Sequence, residues 1–220
     1  MSPLSDGAFV LPIRPAVKQD TAGDERSEND AHRLVTSFAT VSSVDARQVL
    51  DRVAVLASDR RPDRSFVLIG IGGHGASGKT TLAQLIPAAQ IVGTDEFWDG
   101  EEFELARLRI EVLEPILAGE RAEYRAFSWA LQAPVADPIH VRPEGVIVIE
   151  GVCALHKMFR EAYDLRIWVE APRELRLERG VARDGEDARR IWEEQWMPGE
   201  DRYVERDDPI PAADLIVAGF

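Results

Sequence analysis

Gly73, Gly78, Lys79 and Thr80 stand in the spacing Gly-x-x-x-x-Gly-Lys-Thr, and that spacing has a direct chemical reading. Glycines let a backbone wind closely around a polyphosphate with its N–H groups aimed at anionic oxygens. Lys79 supplies a point charge for the β and γ phosphates, and the Thr80 hydroxyl can ligate Mg²⁺. A helix opening at Lys79 turns the positive end of its dipole toward the same anion. Four fixed positions match by chance in roughly one chain of this length in a hundred. The apolar run from Phe66 directly before the match, and the helical pattern after it, favour a phosphate-gripping loop over an idle Gly-rich turn.

Two acids and a set of arginines extend the chemistry. Glu150 follows four apolar residues, Val146-Ile-Val-Ile149, where a strand-end carboxylate can hold Mg²⁺ directly or through water, opposite Thr80. The alternative is an ordinary acid facing solvent. Asp95 follows a second apolar segment, 90–94, and a carboxylate there can take a proton from an attacking hydroxyl; a helix cap or turn aspartate is the plainer reading. Phe97 and Trp98 beside it form either a substrate wall or core. Arg176, Arg179 and Arg183 recur at spacings of three and four, so they share one helical face. Such a face either closes on a phosphate as a lid or is salt-bridged by Glu174, Glu178, Asp184 and Glu186. Arg189 and Arg190 follow as further candidates for the same face. His74 sits at a variable position of the loop, and His32, His140 and His156 have no metal-ligand spacing.

Positioning these groups requires a layered α/β frame. A helix is expected over 46–58, capped by Asp45, with Ala46, Val49, Leu50, Val53 and Leu56 on one face. Strands are expected at 66–71, 90–94, 146–149, 165–169 and 213–217, with short strands or a hairpin within 123–129 and 139–142. Helices are expected from Lys79 to about Ile86, over 102–118, from Pro172 through Arg183, and over 186–197. Alternation of strands and helices, several strands wholly apolar, predicts a mostly parallel sheet covered on both faces. Residues 1 to about 30 are rich in acids, Ser, Pro and Gly, and 1–42 are expected to be a loosely ordered tail. One domain then covers 43–220, with a helix at 43–60 and a lid at about 176–200.

Composition narrows the class. The 220 residues carry a formal charge of −13, which argues against a nucleic-acid partner. Cys153 is the single cysteine, so no intramolecular disulfide forms, and it reads as a packed apolar residue in a reducing compartment. The N-terminus has no basic segment leading into an apolar run, and no 18-residue apolar stretch occurs; a cytoplasmic protein without membrane contact is expected. No feature specifies an oligomeric state.

Taken in order, the motifs resemble the uridine kinase family of P-loop kinases, relatives of phosphoribulokinase and bacterial pantothenate kinase. The matching segments are Gly73–Thr81, Asp95-Glu-Phe-Trp98, Val148-Ile-Glu-Gly151, Asp164–Val169, Arg179-Gly-Val-Ala-Arg-Asp184 and Ala213–Val217. The resemblance implies a three-layer P-loop NTPase fold with a small lid. It places ATP along Gly73, His74, Gly75, Ala76, Ser77, Gly78, Lys79, Thr80 and Thr81. It also implies Mg²⁺ at Thr80 and Glu150, Asp95 as general base, and Arg179 and Arg183 acting with Lys79 in catalysis. Trp98, Tyr124, Arg125 and Trp129 lie where the family contacts its acceptor. The chain departs from the family at 99–103, where Asp-Gly-Glu-Glu-Phe stands in place of Asp-His-Pro-x-Ala-Phe-Asp, and it lacks the hairpin histidine. The expected activity is Mg·ATP-dependent transfer of a phosphoryl group to a hydroxyl of a small metabolite, a nucleoside such as uridine or cytidine. The alternatives are a kinase of a pantothenate, sugar or glycerate type of alcohol, and a non-catalytic ATP-binding module. A GTPase would need an Asn-Lys-x-Asp motif, which is absent.

Overall fold

The apolar strand runs find their partners in one parallel sheet with helices on both faces. The computed structural model describes residues 44–59, 64–99 and 102–219; the tail expected over 1–42 lies outside them. Helix α1 (Ala46–Ser58) opens on Asp45, whose side chain accepts from the Gln48 N–H while Gln48 reaches back to the Asp45 N–H, a reciprocal cap. Strand β1 (Phe66–Gly73) leads through the glycine-rich loop into α2 (Lys79–Leu85), and β2 (Gln90–Gly93) follows.

A longer helix, α3, occupies 105–117 with one wide turn at Arg109–Leu113. The expected hairpin is nested: β3 (Ala122–Tyr124) pairs with β6 (Ile139–Val141), and inside it β4 (Phe127–Ser128) pairs with β5 (Ala133–Pro134). Strands β7 (Gly145–Glu150) and β8 (Leu165–Glu170) flank β1. Helices α4 (Arg173–Asp184) and α5 (189–207) lead to β9 (Leu215–Ala218). The five main strands lie in the order β2-β7-β1-β8-β9, every pairing parallel.

β1 is buried along its whole length, and its side chains alternate between two cores. Val67, Ile69 and Ile71 pack with Val49 and Val53 of α1 and Leu82 of α2; Phe66 and Leu68 pack on the opposite side with α3, the hairpin and α5. Cys153 is 1% exposed, and burial pushes its thiol well up, as a packed residue requires.

Two helical expectations need correction. The helix after Pro172 does carry Arg176, Arg179 and Arg183, but Arg176 is buried against Ala171 and Glu200 and does not face a ligand site. The segment expected to end at 197 continues to Asp207. A wide turn at Trp192–Trp196 absorbs one extra residue, so Pro198 falls in the first turn of the helix that follows and does not stop it.

Gly180 of α4 makes room for Trp192. A Cβ at Gly180 would lie 2.5 Å from Cζ2 of that indole. Gly180→Ala is therefore expected to lower stability by about 1–3 kcal/mol, even though alanine favours a helix by about 1 kcal/mol. Chemical denaturation of the variant checks this; a gain in stability would show that the indole yields.

Candidate phosphotransfer site

Strand register explains why residues far apart in sequence meet. In the parallel pairing Ile71 of β1 and Gly93 of β2 both lie beside Glu150 of β7. The glycine-rich loop, the turn carrying Asp95, and Glu150 therefore leave the sheet at one level. That level is its carboxyl edge, where open α/β sheets place ligands.

Within the loop, Ala76 and Gly78 take positive φ angles of 58° and 103°. Such left-handed residues curl a chain so that successive amides can converge on an anion. Lys79 is 7% exposed, and its Nζ donates to the His74 carbonyl at 2.7 Å. Burial lowers the Lys79 pKa, while Glu150, Glu200 and Asp95 pull it back up. Thr80 Oγ1 donates to Glu150 Oε1 at 2.9 Å. Burial raises the Glu150 carboxyl against the pull of Lys79.

Asp95 sits in a tight helical turn, Thr94–Phe97, that opens onto a cavity. Its side chain meets that opening but is ringed by protein, and this desolvation raises its pKa while Lys79 opposes the shift. The cavity holds about 320 Å³. Gly75, Gly78, Lys79, Thr80 and Thr81 line it beside Asp95 and Glu150; Phe103 and Trp129 form another wall, and Arg179, Arg183, Trp192, Trp196 and Glu200 a third. Arg179 Nη1 is buried with no hydrogen-bond partner. An orphaned guanidinium nitrogen beside a buried ammonium is a ready donor to anionic oxygens.

The donor set suits Mg²⁺. Thr80 and Glu150 offer two hard oxygens within hydrogen-bond distance at the cavity wall, and Mg²⁺ takes few protein ligands, completing its shell with water and phosphate oxygens. Among the described residues no group of three or more His, Cys, Asp and Glu forms a metal cluster.

The acceptor-side residues separate. Trp129 lines the cavity, and Phe103, from the segment that departs from the family pattern, lies there too. Trp98 does not: it is 2% exposed and packs against Phe103 and Trp129, so it backs the wall from within. Phe97 is fully buried as well. Tyr124 turns away to donate its hydroxyl to Glu96, and Arg125 is exposed, contributing a carbonyl to Arg107. On the arginine face, Arg183 is held by both carboxylate oxygens of Asp184 at 2.9 Å, and Arg189 and Arg190 pair with Glu186 and Glu194. The salt-bridged alternative thus describes those three, and Arg179 is the one aimed at the cavity with a buried nitrogen to spare. His74 is buried edge-on to Trp168, and burial lowers it to about 4, so it is neutral near pH 7.

Glu200, Trp192 and Trp196 were not singled out by any motif. Their spacing of four, bridged by the wide turn at Trp192–Trp196, keeps all three on one side of α5. Glu200 is 2% exposed, accepts from the Gly75 N–H, and lies 3.3 Å from Arg176 Nη1. Burial raises its carboxyl to about 7 against Lys79, that amide and Arg176. An acid raised by folding stabilises least once it must ionise. Its contribution is intact below about pH 4.5 and is lost as pH rises toward 7. Glu200→Gln is therefore expected to gain stability relative to wild type across pH 4.5–7. Melts at several pH values check this; a constant difference would contradict it.

The loop, the strand order and the carboxyl-edge site define a P-loop NTPase type of fold. Within that class its sequence is similar to the uridine kinases. The uridine kinase of Halobacterium salinarum is 29% identical over 141 residues, covering 53% of this chain and 61% of that protein. The chain thus spans less than two thirds of that curated relative. A solved structure described as a possible uridine kinase from Bacillus stearothermophilus matches with a TM-score of 0.58 at 17% identity, over 78% of this chain and 98% of that one. A protein provisionally assigned as a fructose transport system kinase from Silicibacter sp. TM1040 matches with a TM-score of 0.60 at 23% identity, over 79% and 99%. These two likenesses establish the fold alone. No family model matches the chain. Among the described residues no helix is long and apolar enough to cross a membrane.

Proposed function

We propose that this chain is a Mg·ATP-dependent kinase that moves the γ-phosphoryl group of ATP to a hydroxyl of a small metabolite. The observation that carries the reading is one cavity that gathers Lys79, the Thr80–Glu150 pair, Asp95 and Arg179. A phosphate site, a metal-suited oxygen pair, a partly desolvated carboxyl at the cavity mouth and an unsatisfied cation are the parts that phosphoryl transfer to an alcohol requires.

The loop amides and Lys79 hold the phosphate chain, and Thr80 and Glu150 would hold the ion. Bound there, Mg²⁺ would supply charge neutralisation for the transferring phosphoryl group. Asp95 accepts the proton of the acceptor hydroxyl as its oxygen bonds to the γ-phosphorus and the bond to the β-phosphate oxygen breaks. Its raised pKa, set by burial, makes it a stronger base than a solvated aspartate. Lys79 and Arg179 face the charge that moves to the leaving oxygen. Residues 176–200 act as the lid: Trp192 wedges between Gly180 and Gly75, with Cη2 2.9 Å from where a Cβ at Gly75 would lie, and excludes water that would compete as acceptor.

The acceptor we favour is a nucleoside such as uridine or cytidine. The likeness to uridine kinases and the aromatic wall of Phe103 and Trp129 support it. The altered segment at 99–103 and the turned-away Tyr124 favour, as a second reading, a different hydroxyl-bearing metabolite. ADP production with a panel of nucleosides, sugars, pantothenate and glycerate decides between them. Turnover confined to non-nucleosides would overturn the first, and nucleotide binding without turnover on any acceptor would overturn the enzyme.

A further inference from the structure

We propose that Glu200 is a positioning residue that makes phosphate binding at this loop proton-coupled: its carboxylate takes up one proton as the phosphate chain enters and releases it as the chain leaves. The inference rests on the reading of the loop as a polyphosphate site and goes beyond it, because no motif assigns a carboxylate to that place.

The geometry sets a carboxylate and a phosphate against each other. One oxygen of Glu200 lies on the Gly75 amide, 2.5 Å from where a Cβ would stand, and the other lies 3.3 Å from Arg176 Nη1. The Gly75 N–H belongs to the loop that is to wrap the phosphates, and Glu200 already uses it. Arg176 is 4% exposed and also donates to the Ala171 carbonyl at 3.2 Å, so it serves the carboxylate and does not reach the cavity.

The groups acting on Glu200 come from four directions. Lys79 opens α2 at the end of the loop, Arg176 belongs to α4, and Cys153 to the segment after β7; Asp201 follows on its own helix. His74 and Arg173 surround that set, acting on Arg176 and Asp201. Of these, Lys79 is the cation that a bound phosphate would share. Drawing Lys79 toward phosphate oxygens weakens its support of the carboxylate, and the phosphates add negative charge beside it. Both effects favour the neutral acid.

The balance is simple: a Glu200 carboxylate plus a solvent proton gives the carboxylic acid, and release reverses it. No bond to phosphorus changes. His74, lowered to about 4, stays neutral throughout and cannot substitute. Asp201 is 43% exposed and paired with Arg173 at 2.8 Å, so water screens it.

The test is calorimetric titration of the full chain with a non-hydrolysable ATP analogue and Mg²⁺ at pH 8, in two buffers of different ionisation heat, with no acceptor present. Wild type is expected to take up about 0.5–1 proton per nucleotide, and its affinity to fall roughly three- to tenfold per pH unit between 7.5 and 8.5. Glu200→Gln is expected to take up none and to bind with an affinity that does not change over that range. Tight binding by wild type without proton uptake, or uptake unchanged in Glu200→Gln, overturns this proposal and leaves the kinase reading standing. Failure of wild type to bind nucleotide overturns the phosphate-site reading and this inference with it. Should Glu200→Gln not fold, Glu200→Leu takes its place in the same titration, with the same expected loss of proton uptake.

Discussion

Asp95→Asn is expected to cut phosphoryl transfer by about 10²–10⁴-fold while changing nucleotide affinity by about twofold or less. Asparagine keeps the volume of the side chain and its place in the Thr94–Phe97 turn, but it cannot accept a proton from an attacking hydroxyl. Asp95 shares the cavity wall with Lys79 and the Thr80–Glu150 pair, and in the proposed mechanism it does not hold the phosphates. The split between rate and affinity is therefore the informative readout. Single-turnover transfer measured beside direct nucleotide binding checks it. Full activity in the purified variant would remove the base assignment, and loss of binding equal to loss of rate would turn Asp95 into a binding residue.

Lys79→Ala is expected to lose both binding and transfer, with kcat/KM reduced by at least about 10³-fold. Two effects combine. The ammonium is the charge that faces the β and γ oxygens, and the loss of a comparable preorganised donor costs about 10²–10³ in rate by itself. Its removal also leaves Asp95, Glu150 and Glu200, which all act electrostatically on Lys79, without their shared cation. A cavity that is left net negative repels a polyphosphate. Arginine is not an adequate replacement, because the site is 7% exposed and the ammonium is fitted to the His74 carbonyl at 2.7 Å. Wild-type binding in Lys79→Ala, measured by the same titration as for Glu200, would show that the loop amides alone suffice and would sink the charge argument.

These expectations depend on features of different legibility. The strand Phe66–Gly73, the loop and α2 were readable because each is local: an apolar run, glycines at fixed intervals, and a helix start within a few residues. Asp95 and Glu150 were readable as strand-end acids, since a buried parallel strand must run to an edge before a charge is tolerated. The reciprocal cap on α1 was partly readable, from Asp45 and the apolar spacing behind it.

Arg176 shows where the reading failed. Spacing of three and four puts Arg176, Arg179 and Arg183 on one face, yet Arg176 is buried on Glu200 while Arg179 and Arg183 reach the cavity. A helical face is broad, and which part of it meets the ligand is decided by what packs against the helix. Tyr124 and Arg125 lay in the expected region of the hairpin but point elsewhere: Tyr124 is buried onto Glu96, and Arg125, just past the end of β3, faces solvent.

The amino-acid order by itself determined the parallel α/β frame, the phosphate-type loop and the two acids at its level, since these follow from hydrophobic period and short-range backbone chemistry. Only the tertiary structure decided that α5 turns Trp192, Trp196 and Glu200 onto the loop, that Arg179 keeps a buried nitrogen without a partner, and that Phe103 and Trp129 line one wall of the cavity. Those outcomes rest on packing between segments distant in sequence, such as Trp192 filling the space over Gly180 and Gly75. Contacts of that kind have no local period from which to be read.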